Sequence, residues 1–592
     1  MKKVFVKLKS YDSLCLISII LLGIWQVLRC PDLPGLYLDA VNPDYLAIQM
    51  LFPHANNPNW TMPHSGIPLL GQLYHGTITV WLQLIIVGLF GESSLLTDRF
   101  SNIIYVVGIC WVMHLILKRL GTNKAISFFA LICIMLSPNV FSFIRTQYYI
   151  KLPGTLLLML SIYFGMQSID NHKHAVYLML SGISLGIAFY SYFIFLFFAP
   201  AILLFCLDKA KKTDSSYVKD TVGWCIGFGC GSTPYVIGYS DLLITSTSLS
   251  ASVKSNLVTV GGFLLVITVI FLACTMVRKY QNNKVFIRCC MAALILVFSL
   301  GTICLINLNS IINRLIPTLN SLEIAGKDMG VIQRIAQIFY YWSGVLENRF
   351  LEGQMLETTS TYLPFMLTIL LLITFILTCI LTITRKMVKD DWREILSWIG
   401  ILLCYGICCI PFASRMGGQH FTPTFFITCM ILILVLDSIW RLAKNKYIKK
   451  MPIALLGVFL LWSIINTNLL QKNLEFTGGR YLYSETINTL AKDALSERGN
   501  GKKNVYVFPE WGFWCGFDYL TVNQIPYMLS IDINTLKRYL DKGYGFRLCT
   551  WDNESVEQYI NLLGNADICD VSTDTMLSRD GKVIFYIIKG DS

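Results

Sequence analysis

The feature that most constrains this chain is an alternation: long apolar runs, each near the length of a membrane crossing, separated by short clusters of lysine and arginine. A helix that crosses a bilayer needs about 20 apolar residues, with roughly 17 to 25 as the working range. Runs of this kind lie at 13–29, 98–117, 125–140, 152–169, 176–192, 193–208, 220–238, 257–277, 285–307, 362–384, 394–412, 421–440 and 452–469. Charged residues make up 14% of the 592-residue chain, against about 25% in a soluble domain. Too few polar groups remain to cover a water-soluble surface, so a soluble multidomain enzyme is excluded. Plentiful aromatics and the lack of a sustained heptad exclude disorder and a coiled coil. The expected fold is a polytopic α-helical membrane protein of about thirteen spans.

One further run, Ile78 to Phe90, is short for a crossing. If it does not cross, clusters such as Lys118/Arg119/Lys124, Arg278/Lys279/Lys284/Arg288 and Arg441/Lys444/Lys446/Lys449/Lys450 share one side with the lysine-rich N-terminus. Counting it as a span would flip every later loop and destroy that asymmetry. The positive-inside rule therefore makes 78–90 an interfacial or re-entrant helix on the outer face, with the N-terminus cytoplasmic and the C-terminus outside. The N-terminal lysines and the apolar run behind them mimic a signal peptide. Trp25 to Cys30 is too bulky for a cleavage site, so the run reads as an uncleaved first span.

The net charge of +12 sits in those short clusters and does not form a nucleic-acid surface. No cysteines form a CxxC pair, so neither zinc nor redox chemistry is expected. Residues 1–469 are expected to form the membrane domain, with long outer segments at 30–97 and 308–361. Residues 470–592 are polar enough to fold in water and read as a small extracytoplasmic α/β domain. Helices are expected near 481–497, 531–540 and 553–563, with strands near 504–508 and 582–588.

The first outer segment carries Asp32, Asp39 and Asp44 with no lysine among them. Asp39 lies among Leu36, Tyr37, Leu38, Ala40 and Val41, so partial burial without a paired cation would raise its proton affinity, as a general base requires. Asp44, after Pro43, reads equally as a helix cap, and Asp32 between prolines as a turn residue. Farther on come Phe90-Gly91, then Asp98-Arg99-Phe100-Ser101, a basic turn Lys118-Arg119-Leu120-Gly121 and the exit Ser137-Pro138. This order resembles the N-terminal half of the GT-C glycosyltransferases, in the branch of bacterial aminoarabinose transferases and protein O-mannosyltransferases. The resemblance covers residues 1–210 in motif order and 211–470 in hydropathy outline.

The resemblance implies sugar transfer at the outer face, from a polyprenyl-phosphate-linked donor to an acceptor hydroxyl on a lipid, glycan or protein. It also implies that the Asp of the first outer loop, here Asp39, is the catalytic base, with Asp44 as the other candidate. Many members have Asp-Glu where this chain has Asp39-Ala40. Family members also commonly carry an acid in the second outer loop, which here reads Phe143-Ile144-Arg145-Thr146-Gln147-Tyr148-Tyr149-Ile150-Lys151. No cofactor or carboxylate-bound metal is therefore expected. His54, His64 and His75 have spacings that fit no helical ligand pair. Gly227, Gly229 and Gly231 follow no strand, so they read as helix packing and not as a nucleotide loop.

A departing polyprenyl phosphate gains negative charge, which fixed cations stabilise. Arg145 and Lys151 flank Tyr148 at the mouth of two spans, where they either bind that phosphate or anchor the spans at lipid headgroups. Arg415 and His420 sit in the turn Ser414-Arg415-Met416-Gly417-Gly418-Gln419-His420. Glycines there let backbone approach a ligand, and an arginine fork matches phosphate. Arg334 is a further candidate, or a solvent-facing residue on an amphipathic helix over 333–341. A transporter or flippase of lipid-linked glycans would show internal repeats and mid-membrane charges, which are not evident. A polysaccharide polymerase or ligase differs mainly in donor and acceptor size.

Overall fold

The computed structural model of the protein describes residues 10–53, 67–72, 74–146, 151–168, 174–210, 217–245, 330–359, 361, 363, 366–371, 373, 389–414, 416–443 and 445–591. The runs 257–277 and 285–307 and most of 362–384 lie outside the described residues, as do Tyr148, Arg415, His54 and His64.

The chain enters on α1 (Ser10–Leu28). An outer segment follows, with a 3-10 turn at Leu38–Ala40, α2 (Tyr45–Leu51) and an antiparallel hairpin of β1 (Leu70–Gln72) and β2 (His75–Gly76). Next comes α3 (Ile78–Phe90), whose 13 residues reach only about 20 Å, short of the roughly 30 Å hydrocarbon core. It ends at Gly91, where a φ of 73° lets the N–H close onto the Val87 carbonyl. Trp81, Ile85 and Leu89 form an exposed stripe while Gln83 and Val87 are buried, the one-sided pattern of a helix lying along an interface.

The Ser94 and Thr97 side chains each satisfy the other's backbone N–H, and this capping box starts α4 (Leu95–Arg119). Asn123 caps α5 (Lys124–Met135), and Ser137 caps α6 (Pro138–Phe143), with Pro138 in its first turn. The run expected at 125–140 is thus broken in two, because Ser137-Pro138 starts a new helix instead of finishing the old one. Then follow α7 (Lys151–Gln167), α8 (His174–Ser191), a 3-10 stretch Phe193–Phe198, α9 (Ala199–Ala210) and α10 (Tyr217–Thr245). Backbones of α8 and α10 touch: a Cβ on Gly182 would sit 2.2 Å from the Trp224 carbonyl oxygen, and one on Gly231 2.3 Å from that of Ile183. Small residues permit that approach, as in membrane helix pairs.

Beyond the undescribed stretch lie α11 (Val331–Leu346), α12 (Arg349–Leu356), α13 (Lys389–Cys409), α14 (Thr422–Leu442) and α15 (Lys446–Thr477). Among the described residues, 6 helices are long and apolar enough to cross a membrane. The 32 residues of α15 extend about 48 Å, farther than a bilayer is thick, so the helix runs without a break into the tail.

In the tail, α16 (Thr486–Gly499), β3 (Asn504–Val507), α17 (Trp514–Leu520), β4 (Tyr527–Met528), α18 (Ile533–Asp541), β5 (Gly545–Thr550), α19 (Asn553–Gly564), β6 (Val571–Leu577) and β7 (Val583–Gly590) follow in order. The strands make one sheet, β4-β3-β5-β7-β6, parallel over its first three and antiparallel over the rest. Separate apolar clusters fill its two faces, as a layered α/β unit requires. The tail is stitched to the first outer segment. The Gly35 N–H donates to the Tyr483 carbonyl at 2.8 Å, Gln49 donates to Asp518 at 3.0 Å, and the Ser93 hydroxyl to the Tyr519 carbonyl at 2.5 Å.

Candidate active site

Asp39 lies half-buried in the 3-10 turn and accepts a hydrogen bond from the Tyr37 hydroxyl at 3.3 Å. Burial pushes its proton affinity up, against the opposing pull of Lys151, Tyr37 and Asn42. A carboxylate so placed is more basic than one in water, which suits proton abstraction. Lys151, the first residue of α7, is buried, with its ammonium 4.9 Å from the centre of the Tyr192 ring. It makes no ion pair among the described residues, so its charge meets Asp39 only through space.

Tyr192 joins the lysine to a third element. Its hydroxyl lies 2.9 Å from His420 Nε2, in the 3-10 turn Gly418–Phe421 before α14. On the other side of the imidazole the Gly417 N–H donates to Nδ1 at 3.0 Å, and the Tyr405 hydroxyl donates to the His420 carbonyl at 2.5 Å. Both ring nitrogens are thereby set in orientation. Tyr74, in the β1–β2 turn, stands edge-on to Tyr192 with centroids 5.9 Å apart. His75 beside it is fully buried, and burial lowers its pKa to about 4, so it stays neutral.

The fold thus brings together Asp39, Lys151 and His420 from three distant stretches of sequence. Tyr192 and Tyr74, which link them, carry no local sequence signal that separates them from the other tyrosines of the apolar runs. The other expected site residues lie elsewhere. Arg145 does not face a ligand position: it is buried, and its guanidinium donates to the carbonyls of Leu33 (3.2 Å), Phe141 (3.2 Å), Gln26 (2.8 Å), Val27 (3.4 Å) and Arg29. In the first turns of α4, Arg99 acts likewise on the carbonyls of Cys30 (3.0 Å) and Pro34 (2.8 Å). Irregular loop backbone at the membrane edge leaves carbonyls without helical partners, and these two arginines supply the missing donors.

Arg334 is buried and not solvent-facing, with one guanidinium nitrogen 2.7 Å from the Pro411 carbonyl, so it holds α11 against the end of α13. Asp44 stands at the N-cap position of α2 but makes no capping bond there. It is turned inward beside Thr79 and Gln83, and burial lifts its pKa to about 7. At 1% exposure it is closed to solvent, whereas Asp39 is half-buried.

Residues 74–227 match the family model of dolichyl-phosphate-mannose-protein mannosyltransferases. In sequence, no curated protein matches the chain. Among solved structures, ArnT from Cupriavidus metallidurans bound to undecaprenyl phosphate aligns over 98% of both chains at 7% identity, with a TM-score of 0.51. The archaeal oligosaccharyltransferase AglB from Archaeoglobus fulgidus, in complex with an inhibitory peptide and a dolichol-phosphate, aligns over 91% of this chain and 70% of its own at 10% identity and a TM-score of 0.43. The chain thus shares the fold of ArnT over 98% of its length, and its residues 74–227 are similar in sequence to the dolichyl-phosphate-mannose-protein mannosyltransferases.

Proposed function

We propose that the protein transfers a sugar from a polyprenyl-phosphate-linked donor to an acceptor hydroxyl at the outer face of a bacterial plasma membrane. The observation that carries this reading is the meeting of an accessible basic carboxylate, Asp39, with a buried lysine that has no ion-pair partner among the described residues. A structural lysine is not left unpaired in a buried place without cost, so the site is shaped for an anion that arrives with substrate. Asp39 accepts the proton of the acceptor hydroxyl. The freed oxygen attacks the anomeric carbon from the face opposite the phosphate, the C1–O bond to phosphate breaks, and its electron pair leaves on the polyprenyl phosphate. One bond forms and one breaks at that carbon, so its configuration inverts. Lys151 stabilises the charge that gathers on the leaving phosphate, while His420 and Tyr192 hold the pocket wall around the ammonium. Arg415, outside the described residues, remains a proposed phosphate ligand on its sequence alone. The tail, stitched to the loop that carries Asp39, forms the wall on the acceptor side.

Turnover with a lipid-linked sugar donor in membranes tests the reading. Asp39→Asn should leave protein level and donor binding intact and abolish most transfer. Normal transfer by this variant would remove the base and with it the proposal's main support.

A further inference from the structure

In the tail, β3 and β5 are parallel neighbours whose connections diverge: α17, which follows β3, packs on one face of the sheet, and α19, which follows β5, packs on the other. Where connections part in this way, an open α/β sheet has a crevice outside the carboxyl ends of the two strands. Here that place is occupied by aromatic rings. Trp511 lies just beyond β3 and Trp551 just beyond β5, and the Trp551 indole N–H donates to the Trp511 carbonyl at 2.8 Å. Glu510 holds both strand ends, accepting from the Thr550 hydroxyl at 2.5 Å, the Trp551 backbone N–H at 2.8 Å and the Tyr559 hydroxyl at 3.3 Å. Phe513 stacks on Trp551 with centroids 4.0 Å apart. Gly512 leaves no room for a side chain, since a Cβ there would sit 2.9 Å from the Trp551 ring. Although so firmly held, Trp511 is 54% exposed, and Tyr481, whose ring centre lies 5.4 Å from that of Trp551, is 52% exposed. Rigid aromatic surface left open to water is the preorganised state of a binding site.

The strip of rings reaches the carboxylate. Tyr37 stands edge-on to Trp511 with centroids 5.2 Å apart, and its hydroxyl is the one that donates to Asp39. A molecule lying on Trp511 therefore extends toward the base. Glu510 and the Trp551 indole N–H are occupied within the fold, so the strip presents mainly flat ring surface. The Trp511 indole N–H has no hydrogen-bond partner among the described residues and is free to meet a hydroxyl. A pyranose matches this surface, because one of its faces carries only C–H bonds and its rim carries hydroxyls. A peptide does not: β3 lies between β4 and β5, and β5 between β3 and β7, which leaves no strand edge here to extend. A hydrocarbon chain on rings this exposed would stay half in water. From this we infer that Trp511, Trp551 and Tyr481 bind a sugar unit of the acceptor, which makes the acceptor a glycan; the inference rests on the transferase reading above.

Binding to the purified full-length protein in nanodiscs would be measured by calorimetry for chitotetraose, maltotetraose, mannotetraose and a serine-containing tetrapeptide. In the wild type at least one of the saccharides should bind and the peptide should not. Trp511→Ala should weaken that binding about tenfold, the scale of a favourable aromatic contact. Trp511→Phe, which keeps a ring, should weaken it less, and both variants should keep the melting temperature. Lys151→Met, at the phosphate pocket, should bind saccharide as the wild type does. Failure of every saccharide to bind, or equal binding to wild type and Trp511→Ala, overturns the assignment. Peptide binding that Trp511→Ala abolishes makes the strip a protein site and also overturns it. Trp511-dependent saccharide binding beside normal transfer by Asp39→Asn would instead break the transferase reading and leave a carbohydrate-binding tail.

Discussion

Arg145 and Lys151 are both buried cations at the same edge of the fold, yet the regions around them are opposites. Around Arg145 the donors are spent: carbonyls of α1, α6 and the first outer segment converge on one guanidinium. Around Lys151 there is an aromatic ring, a carboxylate felt through space and no ion pair among the described residues. A guanidinium offers five donors in a rigid plane and can hold several backbone strands at once, whereas an ammonium is a compact point charge. The difference teaches that a saturated cation builds the loop and an unsaturated one serves it. Burial and charge alone do not distinguish the two roles.

The sharpest way to break this comparison is at the carboxylate that shares the lysine's pocket. Asp39→Asn should lower turnover by about 10²- to 10⁴-fold, the usual contribution of a general base, with thermal stability unchanged. Turnover and melting temperature measured on the same purified sample decide it.

The next largest effects should separate the two cations directly. Arg145→Met leaves several buried carbonyls without donors, each costing about 1–3 kcal/mol, so the melting temperature should fall steeply and little folded protein should be recovered. Lys151→Met removes a buried charge that has no ion-pair partner among the described residues. It should leave the melting temperature level or raised, while the KM for lipid-linked donor rises at least tenfold. A Lys151→Met variant that unfolds like Arg145→Met would erase the distinction.

Acidity offers a gentler test. Asp44 in the fold has a pKa near 7 against 3.8 for the ordinary side chain. The folded protein therefore holds this proton more tightly than the unfolded chain does. The stability it contributes is complete below about pH 4 and is lost as pH rises through 7. In Asp44→Asn that part of the stability profile should be shallower than in the wild type, by thermal unfolding at closely spaced pH values, with buried Asp518 still contributing its own share. Activity should move the other way: the Asp39 carboxylate has to be ionised, so turnover falls on acidification. Its limb should lie above the ordinary carboxylate range, since burial raises that group.

The smallest effect expected is at the linker between lysine and histidine. Tyr192→Phe keeps the ring under the ammonium and loses only the contact to His420. It should raise donor KM by no more than about tenfold, in line with one hydrogen bond of about 1 kcal/mol. A larger effect on turnover than on KM would place the hydroxyl at the reacting atoms.

Much of the helical outline was legible because apolar length is a signal read locally. The shortness of α3 was legible in the same way, from the length of its apolar run. Lys151 and His420 stood out because a charged or titratable residue at the end of an apolar run is itself unusual, and Asp39 because its neighbours in sequence are apolar. Arg145 stood out for the same reason, and its partners are backbone carbonyls, which every residue carries, so no residue type could announce them. Tyr192 and Tyr74 were hidden in the reverse way, among 29 tyrosines in a chain rich in aromatics. In the tail, β5 and β6 escaped notice because Gly545–Thr550 is buried throughout and Val571–Leu577 exposed nearly throughout, so neither shows the alternation that marks a half-buried strand.

The unbroken passage of α15 from the membrane into the tail has a consequence for how the two halves are phased. A helix turns about 100° with each residue, so the orientation of everything beyond Thr477 is keyed to the residue count of α15. One alanine inserted at its exposed middle, near Leu461, would swing the tail about a quarter turn and tear it from Gly35 and Gln49. Four would bring it almost back into phase, displaced outward by about 6 Å. The tail is mounted like the hand of a clock on its spindle, and the sequence length of a single helix tells it where to point.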